Sequence, residues 1–284
     1  MNPTAPALAL ENLTKTYPHG DFSLACPHFT LPCGASCGLL GENGAGKSTL
    51  LHLITGALRP TTGQVRLFGQ PAGAAVRQQL GYVPDGPCFA ETLTPGGIER
   101  VLRPLFSQWD SPLYRELVRR FSLPEQPLKA FSRGMQARLN LAAALAHHPR
   151  LLLLDEATAG LDPLAREEIL GLLREFLLEE SHSLLVSSHQ TEELEGLCDY
   201  IVLLHRGRIL LAGETDALLD GFVMLSCPAE RLAELDPHAL HSPRITAYGA
   251  EVLAERDKLP PGFDGPRPSL KQLMMGLCRE ADEV

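Results

Sequence analysis

The sequence predicts an α/β fold, a largely parallel sheet covered by helices on both faces. Three observations carry this. Strand-like and helix-like segments alternate through residues 7–69 and again through 151–220. Residues 151–154 are four consecutive leucines, which suits a central parallel strand buried on both faces. A glycine-rich loop at residues 41–48 stands between a short apolar strand and a helical segment. With 284 residues the chain can form one or two domains with a substantial core.

The elements follow in order. Gly38, Leu39 and Leu40 read as a strand end, and residues 47–58 as the helix after the loop. The turn formers Pro60 and Gly63 precede a strand at 65–68, and another strand falls at 81–83. From 86 to 150 the character changes. Pro84, Pro87, Pro95, Gly96 and Gly97 punctuate the chain, and helical patterns occupy 113–121 and 134–147. This reads as a helical insertion between two parts of one sheet. The alternation resumes with a strand at 151–154, a helix at 164–178 and strands at 184–187 and 200–204. Beyond Asp220 it breaks down, with strands at 222–227 and 245–248 and a helix at 269–278. Ser269 and Gln272 form a capping box there, and Leu270, Leu273, Met274 and Leu277 share one face. Residues 1–220 therefore read as the main domain and 221–284 as a small α+β extension.

Composition narrows the class. The net charge of −9 argues against a nucleic-acid-coating protein. No apolar run approaches the ~20 residues that span a bilayer. The first residues lack the basic and apolar regions of a secretion signal, so the expected location is the cytoplasm. Seven cysteines occur without a CxxC pair, and nothing completes a metal site around Cys33 and Cys37. Buried free thiols in a reducing compartment are expected.

Residues 41–48, GENGAGKS, match the phosphate-binding pattern G-x-x-x-x-G-K-[ST] in its required strand–loop–helix setting. Glycines allow backbone N–H groups to turn toward phosphates, and the helix N-terminus adds positive potential. Lys47 is placed to reach β- and γ-phosphates, and the Ser48 hydroxyl to bind Mg²⁺. Asp155 ends an apolar strand, where a carboxylate can hold the same ion directly or through water. Glu156 follows and can act on an attacking water. Alone, the two acids also suit a helix-capping pair. Ser132-Arg133-Gly134 opens a helix with an N-cap hydroxyl and a small residue, a second anion-compatible feature.

The stretch from Phe131 to Asp162 sets the Ser-x-Gly helix start, the strand ending in Asp155-Glu156 and an Ala-Gly-Leu-Asp turn in one order. Together with the phosphate loop, it resembles the ATP-binding subunits of ABC transporters over residues 7 to about 220. The resemblance implies a P-loop nucleotide-binding domain with a helical subdomain at about 86–150 and the small C-terminal extension. It implies ATP held by Gly41, Asn43, Gly44, Ala45, Gly46, Lys47, Ser48 and Thr49, with Tyr17 stacked on adenine. Ser48, Asp85 and Asp155 would serve Mg²⁺, and Glu156, Asp85 and His189 the hydrolysis, His189 sensing the γ-phosphate. Ser132 and Gly134 would reach the ATP of an opposing subunit, while Asp162 communicates between the two sites. The implied assembly is a homodimer or heterodimer of ATPase subunits serving a separate transmembrane permease at the inner face of the membrane.

Three positions depart from the commonest pattern. Asp85 replaces a glutamine, residues 131–135 read FSRGM, and Ala157 replaces a proline. The acidic residue and the FSRGM spelling resemble the exporter branch, which includes drug- and antibiotic-resistance subunits, and Trp109-Asp110 fits it too. The 85–90 loop, with Phe89 and Phe106, is a candidate permease contact, with core packing as the alternative. A soluble ABC ATPase without transport, ribosome-associated or regulatory, is the other reading.

Overall fold

A computed structural model describes residues 5–18, 22–246 and 249–283. In chain order the elements are β1 (Leu8–Thr16), β2 (Ser23–Leu31), β3 (Ser36–Leu40), α1 (Lys47–Thr55), β4 (Thr62–Leu67), β5 (Gln70–Pro71), α2 (Ala74–Arg77) and β6 (Leu80–Val83). Then come α3 (Pro95–Leu102), α4 (Ser111–Arg120), α5 (Arg133–Leu145), β7 (Leu151–Asp155), α6 (Pro163–Leu177), β8 (Ser183–Ser188) and α7 (Thr191–Leu194). The remainder is β9 (Tyr200–His205), β10 (Arg208–Glu214), α8 (Thr215–Asp220), β11 (Phe222–Cys227), β12 (Leu240–Thr246), β13 (Gly249–Glu255) and α9 (Leu270–Glu283).

The main sheet has ten strands in the order β5-β4-β1-β2-β10-β9-β3-β8-β7-β6. Five of them, β9, β3, β8, β7 and β6, run parallel. Every residue of β3, β7 and β8 is buried, as strands covered on both faces require. The other half of the sheet is mainly antiparallel, with only β10 beside β2 in parallel, which the strand–helix alternation did not foretell. Here β1 pairs with both β2 and β4, and Leu8, Leu10 and Leu13 point into the core. Helix α1 fills the space between the two halves. Its Leu50, Leu51, Leu53 and Ile54 share one apolar cluster with Leu8 and Leu10 of β1 and with Leu151 and Leu153 of β7. The opposite face of the parallel strands carries α5 and α6 in a second cluster with Leu152, Leu154, Leu184 and Val186.

Helix α1 stops at Thr55, before the expected 58, because Gly56 takes φ +80° and turns the chain out of the helix. Leu58 keeps the helical apolar spacing, but its N–H closes the following turn on His52 O at 3.0 Å. Helices α3, α4 and α5 lie between the adjacent parallel strands β6 and β7. Phe106 stacks on His147 at 4.1 Å, and Phe89 packs against the larger cluster, so both rings have neighbours within the chain. Trp109 packs on Tyr114 at 5.3 Å, and the Asp110 carboxylate caps α4 by accepting from Leu113 N at 2.9 Å.

Strands β11, β13 and β12 form a separate antiparallel sheet, with Val223, Leu225, Leu235, Val252 and Ala254 as its own apolar cluster. The strand expected at 245–248 is the end of β12, and Tyr248 lies outside the described residues. The expected cap of α9 is present. Gln272 Oε1 accepts from Ser269 N at 2.8 Å, and Ser269 Oγ accepts from Gln272 N at 3.3 Å. Leu270, Leu273 and Cys278 of α9 join the larger cluster of the main sheet. All seven cysteines are free, but only Cys26, Cys37, Cys198 and Cys278 are buried. Cys33 and Cys227 are half-buried and Cys88 is exposed, so the expectation of uniform burial is corrected. Cys88 lies on the open loop after Asp85, where its Sγ contacts Asn140 Oδ1 at 3.2 Å.

Candidate functional site

The C-terminal ends of the parallel strands deliver the site. Strand β3 ends at Leu40, the glycine-rich loop turns, and α1 begins at Lys47. The loop tolerates no side chain at two of its glycines. A Cβ on Gly41 would lie 2.3 Å from Leu204 O, and one on Gly46, at φ +109°, 2.8 Å from the Phe22 ring. The turn between β9 and β10 braces it, with Gly207 N donating to Ala45 O at 2.9 Å. An open cleft of about 330 Å³ results, bordered by Asn43, Gly44, Lys47, Ser48 and Thr49 and, opposite, by Phe22, Asp85 and Glu156.

Lys47 is almost fully buried. Its ammonium donates to Gly41 O at 2.7 Å and Glu42 O at 3.2 Å and lies 3.1 Å from Glu156 Oε1. The other carboxylate oxygen of Glu156 is 2.7 Å from His189 Nδ1. Thus Glu156 is held between an ammonium inside the loop and an imidazole that is 46 % exposed. Glu156 also has φ +48°, a left-handed conformation that costs a residue with a side chain about 1 kcal/mol or more. Ser187 stabilises that backbone. Its hydroxyl accepts from Glu156 N at 3.0 Å and donates to Asp155 Oδ1 at 2.7 Å. The parallel register pairs Asp155 with Ser187, which brings the strand end of β7 and the serine of β8 level.

Asp155 is buried and anchored by this bond, and it does not border the cleft. Asp85 does border it, and its Oδ1 lies 3.4 Å from Arg133 Nη2. The acid in place of glutamine and the arginine of FSRGM are therefore partners within one chain. Asn140 of α5 holds the loop that carries Asp85, donating to Gly86 O at 3.3 Å. The hydroxyl of Ser48 and the carboxylate of Asp85 border the cleft as hard oxygen donors of a type that suits Mg²⁺, with the carboxylate of Asp155 buried behind them on Ser187. Among the described residues, no group of three or more His, Cys, Asp or Glu side chains forms a protein-only metal centre.

Ser132, Gly134 and Asp162 stand apart from this cleft. Ser132 Oγ caps α5 by accepting from Met135 N at 3.2 Å, and Asp162 Oδ1 caps α6 by accepting from Ala165 N at 3.0 Å. The backbone bond from Ala165 holds the Asp162 carboxyl below the usual range. Nothing inside the chain forces glycine at 134, since an added Cβ would come no nearer than 3.5 Å to Ala165. Tyr17 is partly exposed at the end of β1, its ring 6.4 Å from Phe22 and 5.4 Å from the Lys15 ammonium. Sequence reasoning missed Phe22, Ser187 and Asn140. Ser187 had one visible signal, a serine pair where the apolar strand of residues 184–186 runs out beside His189.

The arrangement brings together a glycine-rich loop with a buried cation, a clamped carboxylate, an imidazole and the oxygens of Ser48 and Asp85. A family model described as ABC transporter matches residues 24–159. The chain is 36 % identical over 228 residues to the Nod factor export ATP-binding protein I of Sinorhizobium fredii, covering 75 % of this chain and 64 % of that protein. It is 31 % identical over 211 residues to the lantibiotic transport ATP-binding protein SrtF of Streptococcus pyogenes, covering 74 % of this chain and 91 % of that one. Among solved structures, the ATP-binding subunit of an ABC transporter superposes with a TM-score of 0.68 at 28 % identity, covering 75 % of this chain and 92 % of the other.

Proposed function

The chain belongs to the ATP-binding subunits of ABC transporters, a family of ATPases, and we propose that it works as half of a dimer that encloses two ATP molecules and drives a separate export permease. The observation that carries the reading is the chain of contacts Lys47–Glu156–His189 at the mouth of the glycine-rich loop. These side chains come from three elements, and each has one contact that a nucleotide can replace.

ATP enters with its phosphates against the loop amides and the N-terminus of α1. Lys47 keeps its two carbonyl partners and exchanges Glu156 for β- and γ-phosphate oxygens. The released Glu156 orients a water toward the γ-phosphorus and takes its proton as the new P–O bond forms and the bond to the bridging oxygen breaks. His189, held on Glu156 in the structure, is assigned a hydrogen bond to a γ-phosphate oxygen, which would make it a sensor of that group. Ser48, Asp155 through Ser187-fixed geometry, and Asp85 would hold Mg²⁺, which supplies charge neutralisation at the β- and γ-oxygens. Tyr17 is assigned the adenine face.

Dimerisation is supported by the position of Ser132 and Gly134. They lie outside the chain's own cleft, and the space left by Gly134 has no use within the chain. They are free to close on the nucleotide of a second subunit, with Asp162 beside that contact. Export is supported by the similarity to a Nod factor export subunit and a lantibiotic transport subunit, and by Asp85 and Arg133, the exporter-like spellings that pair here. Residues 1–220 are read as the ATP-binding domain, its helical part at about 86–150, and 221–284 as an accessory unit, for which the separate sheet and cluster speak. Among the described residues no helix is long and apolar enough to cross a membrane. Attachment to the cytoplasmic face is assigned to the permease.

The test is co-expression with candidate permeases, followed by purification from the membrane and measurement of phosphate release. The expected result is co-purification and ATP hydrolysis that Lys47→Ala abolishes. Hydrolysis without any membrane partner, combined with sedimentation on ribosomes, would overturn the transport reading.

A further inference from the structure

Helix α7 follows His189 and carries Glu192 and Glu193, with Glu195 just beyond it. The three carboxylates face different neighbours. Glu192 is exposed and lies 3.7 Å from Lys271 of α9, while Glu195 Oε1 accepts from Leu270 N at 2.9 Å. Glu193 points the other way. Its side chain is 6 % exposed, its Oε2 accepts from Thr158 Oγ1 at 2.5 Å, and its Oε1 lies 2.8 Å from Arg166 Nε.

Both partners belong to the catalytic loop and its exit. Thr158, itself buried, comes two residues after Glu156. Arg166 sits in the first turn of α6, where its N–H donates to Asp162 O at 3.0 Å. The His189 segment is therefore fastened to the Glu156–Asp162 loop twice. The outer fastening is His189 to Glu156, open to solvent at the imidazole, and the inner one joins the buried carboxylate of Glu193 to the buried Thr158 and the half-buried Arg166. A buried carboxylate with a charged partner and a hydroxyl is costly to release, because the carboxylate and the hydroxyl would be left unpaired away from water. An exposed contact is exchanged far more readily.

We propose that Glu193 is a positioning residue, the fixed pivot that keeps His189 in register with Glu156 while the outer contact is traded for the γ-phosphate. The inference rests on the ATPase reading above. Without the pivot, the switch histidine and the water-orienting carboxylate move independently, and a misplacement of about 1 Å lowers turnover by up to about 100-fold without loosening the phosphate cradle.

The experiment is steady-state ATP hydrolysis by the full chain with its permease, alongside equilibrium binding of a fluorescent ATP analogue. Wild-type turnover abolished by Lys47→Ala establishes the underlying reading, and its absence would count against that reading rather than against the pivot. Given turnover, Glu193→Gln and Thr158→Val should each lower kcat about 10-fold or more, with KM and analogue affinity within about twofold. The double variant should lose little more than the worse single one, since both changes loosen the same Glu193 anchor. Thr158→Ser, which keeps the hydroxyl, should restore most of kcat, and Glu192→Ala, on the outer face, should leave it unchanged. Turnover within twofold of wild type in both Glu193→Gln and Thr158→Val, losses that multiply in the double variant, or a loss of affinity equal to the loss of kcat would overturn the proposal.

Discussion

Replacing Lys47 with alanine isolates the role of the buried ammonium. In the structure Nζ has three partners, Gly41 O at 2.7 Å, Glu42 O at 3.2 Å and Glu156 Oε1 at 3.1 Å. Two of them belong to the loop itself, and under the proposed function these persist when nucleotide binds while the contact to Glu156 is exchanged for phosphate. The binding energy at stake is thus about one charge-assisted hydrogen bond, worth about 1.5–3 kcal/mol net. At 1.4 kcal/mol per tenfold, ATP affinity should fall by about 10- to 150-fold. The truncation also strips Glu156 of its cation while its side chain stays mostly buried, so the nucleotide-free protein should melt at a lower temperature. Titration with a fluorescent ATP analogue, with thermal melts of the same samples, reads both effects. An affinity within threefold of wild type in a folded protein would refute the placement of phosphates against this loop.

Glu156→Gln should keep ATP affinity within a few-fold, lower hydrolysis by at least about 100-fold and accumulate an ATP-dependent dimer in light scattering; a variant that stayed monomeric at saturating ATP and Mg²⁺ would contradict the two-subunit site. His147 is buried against Phe106, and that burial pushes its pKa down from 6.5 to about 4. The unfolded chain therefore takes up a proton at this position between pH 6.5 and about 4 while the folded chain does not, so stability is full above pH 6.5 and falls as the pH drops toward 4. Denaturant titrations should show a loss of up to about 3 kcal/mol across that window, and His147→Phe should flatten the slope. Leu153, fully buried in β7, should cost about 2–5 kcal/mol on truncation to alanine, whereas alanine at the exposed Leu178 should change stability by less than about 0.5 kcal/mol, both by chemical denaturation.

How much was legible in the sequence differed between the two halves of the sheet. The parallel strands announced themselves because burial on both faces demands unbroken apolar runs such as 151–154 and 184–186. In β1 the large core residues are Leu8, Leu10 and Leu13, while Glu11, Asn12, Lys15 and the threonines are at least partly exposed, so its apolar signal is sparser and did not predict the antiparallel pairing. The end of α1 illustrates a second limit. The apolar period runs on to Leu58, but the left-handed Gly56 decides where the helix stops.

The sequence by itself determined the family and the order of its motifs, because a glycine loop and a strand-end Asp-Glu pair need only local geometry to be recognisable. It also placed the capping box of α9 correctly, an interaction that spans three residues. Tertiary structure alone decided which groups meet. Lys47, Glu156 and His189 are separated by 109 and 33 residues, and only the β3–β8–β7 ladder brings them together. The same holds for the Ser187 hydroxyl under Asp155 and for Glu193 reaching Thr158 and Arg166. The physical reason is that a side chain's partners depend on strand register and helix packing across the whole core, whereas a motif depends on a few consecutive backbone angles.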